Sequence, residues 1–175
     1  MNLKIFLILS LWFASANSVA KTEIDGAFGV KFGDVWTSED MYFEPEVKLP
    51  GFHYYSVKIT PLSKKVARIS TSNIKSFYKY EDIERSICNS YYKDTLSYFN
   101  DVYDNKFNID SQDQAIYKYK QSTILLTTSF SSDKESGGCW LDVDYINNSL
   151  FDEIKKESNI INKEARKKKF KGVDL

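Results

Sequence analysis

The sequence predicts an α+β domain: an antiparallel sheet built in the order strands–helix–strands–helix, with the helices on one face. Three observations predict it. Apolar residues alternate with polar ones through residues 41–71 and again through 115–146, the period of half-buried strands. Between those stretches the spacing switches to that of a helix, with Cys88, Tyr92, Leu96, Phe99 and Tyr103 on one stripe and Thr95 beside them. Finally, Cys88 lies on that stripe and Cys139 on the apolar parity of the last strand. A helix packed on a sheet would bring them within the Cα separation, about 4.4 to 6.8 Å, that a disulfide tolerates.

The chain opens with Met1 to Lys4, an apolar run from Ile5 to Phe13, and small residues at Ala14 to Ala16 and Ser18 to Ala20. A positive start, a short apolar centre and small residues before a cut make a secretory signal peptide. Residues 1–20 are therefore expected to be removed, with the cut after Ala20; Ala16 is the alternative. The run is interrupted by Ser10, Ser15 and Asn17 and closed by Lys21, short of the roughly 20 apolar residues of a membrane span. Cys88 is the first cysteine, far from the cleavage site, which excludes a lipoprotein-type anchor. No later segment is apolar enough to span.

About 155 residues remain, residues 21–175, which is one domain by size. The formal charge of the whole chain is zero, so no global field points to nucleic acid or an acidic polymer. Two cysteines in an oxidising compartment pair. A Cys88–Cys139 bridge closes a loop of about 50 residues and contributes on the order of 4 kcal/mol in the chain-entropy account. The other use of a cysteine, as a catalytic thiol, needs a base, and His53 is the single histidine.

Each element has its own warrant. Gly26 to Gly33 reads as a short strand with turns or close approaches at its glycines. It is no phosphate loop, because no Gly-Lys-Ser or Gly-Lys-Thr follows. Phe43, Val47 and Leu49 share a parity that Pro45 and Pro50 interrupt, as in an edge strand or one that ends early. Residues 52–60 form a strand with Tyr55, Val57 and Ile59 on one face and Tyr54, Ser56, Lys58 and Thr60 on the other. Pro61 to Lys64 turns the chain, and residues 66–71 return with Ala67 and Ile69 inward. The helix is expected over 81–103, with Glu81, Asp82 and Glu84 favourable at its N-terminus.

Residues 115–119 and 122–131 follow as strands, the second with Ile124, Leu126, Thr128 and Phe130 on one face. Ser136 to Gly138 signals a turn. The next strand carries Cys139, Leu141, Val143 and Tyr145 on one face, and Trp140, Asp142, Asp144 and Ile146 on the other. Asn147, Asn148 and Ser149 begin the final helix, with Ser149 and Asp152 resembling a capping box. Leu150, Ile154, Ile161 and Ala165 give its apolar face, and a basic end runs from Lys163 to Lys171.

The search for chemistry returns mostly absences. There is no Gly-x-Ser-x-Gly elbow, and a lone His53 is a poor transition-metal site. No metal and no cofactor is expected, and no catalytic residue is assigned. Asp142 and Asp144 share a strand face beside Trp140, a pattern that suits a sugar, a calcium ion or acid–base work; it equally suits a solvated sheet face. Trp140, Asp142, Asp144 and Tyr54 are the candidate binding residues. The basic tail fits a solvated helix end, or contact with anionic lipid or an acidic partner. Asn147 to Ser149 matches a glycosylation sequon, relevant only in a eukaryotic secretory pathway.

The phrase Gly26 to Gly33, written Gly-x-Phe-Gly-x-x-x-Gly, is one of several short features shared with a known group. The others are Ile59-Thr60-Pro61 at a strand end, a cysteine-bearing helix, a later strand cysteine and the terminal Gly172 to Leu175. Together they resemble small exported bacterial proteins of unknown function. The chain departs from them by continuing past Gly172 to Leu175. The resemblance implies an envelope protein without known catalysis and supplies no catalytic residue.

The function expected is that of an exported, periplasmic or secreted, non-catalytic binding protein. Its partner would be another protein or an envelope component, an inhibitor or immunity-type role being one form of this. The alternative is a small secreted hydrolase using carboxylates such as Asp142 and Asp144.

Overall fold

A computed structural model describes residues 24–76, 85–131 and 138–170. The signal peptide, the acidic residues 81, 82 and 84, most of the expected 136–138 turn and the terminal Gly172 to Leu175 lie outside the described residues. The elements run β1 (Gly26–Ala27), β2 (Val30–Lys31), β3 (Tyr54–Ile59), β4 (Val66–Ser76), α1 (Arg85–Val102), β5 (Asn108–Ser111), β6 (Gln114–Tyr119), β7 (Ser122–Ser131), β8 (Gly138–Asn147) and α2 (Asn148–Phe170). The fold is α+β. Its main sheet has six strands in the order β3-β4-β8-β7-β6-β5, every pair antiparallel.

Strand parity sorts the sheet into two faces. On the first, Tyr55, Val57, Ile69, Thr71, Ile124, Leu126, Ala115, Tyr117, Leu141, Val143 and Tyr145 are all buried. Helix α1 lies on this face and contributes Tyr92, Leu96, Phe99 and Tyr103. Phe99 holds the centre, within 6.4 Å of the rings of Tyr103, Phe107 and Tyr145. Cys88 and Cys139 are joined, with their Cα atoms 5.5 Å apart. Both are buried, and the Cys88 sulfur also lies 3.4 Å from Thr128 Oγ1.

Four expectations are corrected. The helices do not share a face. Lys58, Arg68, Ile146 and Thr123 stand in register on the second face, and α2 meets that row. The Lys58 ammonium sits over the Phe151 ring, and Asn148 hydrogen-bonds Thr123. Because β8 passes into α2 without a loop, the helix starts on the face where Asn148 finds its partner.

Second, residues 41–49 form no strand. The Phe43 amide donates to Tyr55 and the Val57 amide to Met41, so the segment flanks β3 with a single bridge at Tyr42 and Ser56. Pro45 ends the pairing because it has no N–H to give. Third, Gly26 to Gly33 is a hairpin of two short strands. Its turn residues Phe28 and Gly29 both have positive φ, as a tight two-residue hairpin requires.

Fourth, the cap of α2 is Asn147, whose Oδ1 accepts the Leu150 amide at 3.1 Å. Ser149 instead donates to Gln121 at 3.2 Å. The apolar face also stops early: Ile161 is 37% exposed and Ala165 is exposed, since α2 has passed beyond the sheet by then. Strand β5 is an addition. Its Asn108–Ser111 residues are all exposed and carry no apolar alternation to announce them.

Candidate functional site

Two surfaces merit comparison. The first is the second sheet face, which holds the residues singled out from sequence. Register places Tyr54, Ser72, Asp142, Thr127 and Gln114 in one row, and Ser56, Ser70, Asp144, Leu125 and Ile116 in the next. Trp140, Asp142 and Asp144 are therefore neighbours along β8, while Tyr54 stands two strands away and 53% exposed.

Both carboxylates are already engaged. Ser72 donates to Asp142 Oδ1 at 2.5 Å and Ser70 to Asp144 Oδ1 at 2.6 Å. Arg68 Nε donates to Ser70 Oγ at 2.9 Å and lies 3.4 Å from Asp144. The result is a cross-strand polar ladder in which serines hydrogen-bond both carboxylates and Arg68 offsets the charge of Asp144.

The second surface was missed. Helix α1 presents a stripe beside its buried one, formed by Tyr91, Asp94, Thr95, Tyr98 and Val102. Opposite it runs the 46–53 loop. The loop is shaped by a turn in which the Phe52 amide donates to the Leu49 carbonyl at 3.0 Å. Pro50 supplies its fixed φ, and Gly51 its positive φ of 81°, the chemistry of a type II turn. A Cβ at Gly51 would also press on Asn73 Nδ2 at 3.3 Å. From below, the buried Tyr55 hydroxyl receives the Leu49 amide at 2.8 Å. One core tyrosine thus pins the loop.

Between loop and helix lie two adjoining clefts of about 380 and 410 Å³. They share Leu49, Pro50 and Tyr98. The first is floored by Phe99, Tyr103 and Tyr145 and closed by the 26–29 hairpin turn. The second is lined by Phe52, His53, Asn73, Tyr91, Asp94 and Leu141 among others. His53, the single histidine of the sequence, thus lines the second cleft.

Burial shifts the floor phenols. It pushes Tyr103 up to about 12, the Tyr145 hydrogen bond opposing only in part. Burial first, and then the Tyr103 phenol, raise Tyr145 well above the ordinary range. Both phenols stay neutral at any physiological pH. Among the described residues, no group of three or more His, Cys, Asp or Glu side chains is arranged to hold a metal. Nor is any helix long and apolar enough to cross a membrane.

No family model, curated protein or solved structure matches this chain. The reading of the site therefore rests on its own geometry. Sequence reasoning passed over the clefts for a physical reason. Tyr91, Asp94 and Tyr98 lie within the helix expected over 81–103, and Leu49 and Pro50 within the proline-interrupted stretch before β3. That they face each other is decided by where α1 docks on the sheet.

Proposed function

We propose that this chain is an exported, non-catalytic binding protein of the cell envelope that takes its ligand in the twin cleft between α1 and the 46–53 loop. The observation that carries the reading is the cleft pair itself: apolar and aromatic walls, a few convergent polar groups, and volumes in the range of ligand sites. The buried disulfide, which holds α1 on the sheet as one wall, supports an oxidising compartment.

Titration with N-phenyl-1-naphthylamine, an uncharged fluorescent apolar probe, tests the site. The expected result is saturable binding of one probe per chain. It should be lost in Val102→Arg, which fills the cleft mouth with charge, and kept in the double variant Asp142→Asn, Asp144→Asn. Binding that survives Val102→Arg, or that follows the two aspartates, overturns the assignment.

A further inference from the structure

The charged groups around the twin cleft are unequal. Asp94 lines one half and Glu46 the other, and both are exposed at the rim. The opposing cations are few. Lys48 is engaged by Glu44 in an ion pair, and His53 is the remaining basic group on the walls. Tyr98 lines both halves, one with Glu46 and the other with Asp94, and is 51% exposed. Tyr91 and Phe52 add further rings on the second half. Ring faces carry negative quadrupole density and attract cations, more strongly where water is partly excluded. The half under the hairpin turn has Leu49, Phe99 and Val102 in its walls and the neutral phenols of Tyr103 and Tyr145 in its floor.

We infer that the twin cleft binds an amphiphilic organic cation, an apolar body seated over Phe99 and Tyr145 with a single positive charge held by Asp94, Glu46 and the Tyr98 ring. This rests on the cleft being the ligand site and adds the ligand's chemical class. The positive charge supplies what the rim lacks, since Asp94 and Glu46 are met on the walls by a single lysine, Lys48, which Glu44 already engages. An anionic amphiphile of the same shape meets those carboxylates with the wrong sign.

Calorimetry on the disulfide-intact chain with three eight-carbon probes tests this: octyltrimethylammonium, octanoate and octyl glucoside. The ammonium is expected to bind about tenfold more tightly than octanoate, the scale of one partly desolvated cation–π contact plus a rim carboxylate. The double variant Asp94→Asn, Glu46→Gln should bring the two within about twofold and leave octyl glucoside unchanged. Tyr98→Ala, a surface change, should weaken the ammonium by several-fold and octanoate by less.

Equal binding of all three probes overturns the cation and leaves the cleft standing as an apolar site. Failure of all three, together with failure of the naphthylamine probe, overturns both. A lysine peptide, acetyl-Leu-Lys-Leu-amide, separates the sources of the charge. Tighter binding than octyltrimethylammonium overturns a free amphiphile in favour of a polypeptide side chain, and weaker binding supports the free amphiphile.

Discussion

Helices α1 and α2 make opposite use of similar sequence patterns. Each carries an apolar stripe at helical spacing. In α1 the stripe is buried along its length, from Cys88 through Tyr92, Leu96 and Phe99 to Tyr103 just past its end. It is stapled to β8 by the disulfide and fills the centre of the core. In α2 only the first three turns are held. Asn147 caps it, Phe151 lies under Lys58, and Glu157 reaches the turn after β3. Beyond Ser158 the side chains described are exposed. A stripe therefore reports that a helix can be amphipathic, and packing requires a surface beneath it.

The two regions should respond very differently to damage. Opening the disulfide with Cys88→Ser is expected to have the largest effect. The chain-entropy estimate of about 4 kcal/mol corresponds to a fall in Tm of roughly 10 °C for a domain of this size. A scan showing less than a few degrees of change would break the claim that α1 is stapled to good purpose. Phe99→Ala comes next, at roughly 3 kcal/mol, because the ring is fully buried and its neighbours cannot all collapse into the hole. Urea denaturation measures it as a lowered midpoint with an unchanged slope.

The anchor of α2 is smaller and carries a pH signature. Glu157 accepts the Leu62 amide at 2.6 Å and the Ser63 amide at 3.3 Å. Burial of the carboxyl pushes its pKa up, but these amide bonds, the Ser63 hydroxyl and Lys65 outweigh it, so the value falls below its ordinary 4.5. A depressed carboxyl pKa contributes stability that is fully present above the unfolded value and lost as pH falls through the lower folded one. The Tm difference between the parent and Glu157→Gln is therefore expected to be constant above about pH 5 and to shrink below 4.5. Parallel curves down to pH 2 would remove the anchor. The smallest effect belongs to Ile161→Ser, expected within about 0.5 kcal/mol of the parent because that position lies on the exposed end of α2.

Much of the fold was legible because strand and helix periods are local. Tyr55, Val57, Ile69, Leu141, Val143 and Tyr145 face the core as their parity requires, and Cys88 meets Cys139. The misreadings occurred where two local rules competed. At residues 41–49 alternation suggested a strand, and Pro45 cut the pairing to one bridge. At the start of α2 a serine with a downstream acid suggested the cap, while Asn147 sat two residues earlier with the better-placed oxygen. Strand β5 had no apolar parity to read, since it is an exposed edge paired only to β6.

The candidate site divides in the same way. Asp142, Asp144 and Trp140 were found by parity alone, and their serine and arginine partners come from β4, seventy or more residues away in the chain. The cleft residues Tyr98 and Leu49 each belong to readable elements, but nothing in either segment specifies the other.

By itself, then, the sequence determined which residues turn inward, where the sheet gives way to helix, and which two sulfurs could meet, because backbone geometry ties each of these to spacing along the chain. Tertiary structure alone decided that α2 crosses the opposite face from α1 and that α1 faces the 46–53 loop across a cleft. Those outcomes depend on contacts between distant segments, Asn148 with Thr123 and Phe99 with Tyr145, whose energies are set by relative position in space rather than by neighbours in sequence.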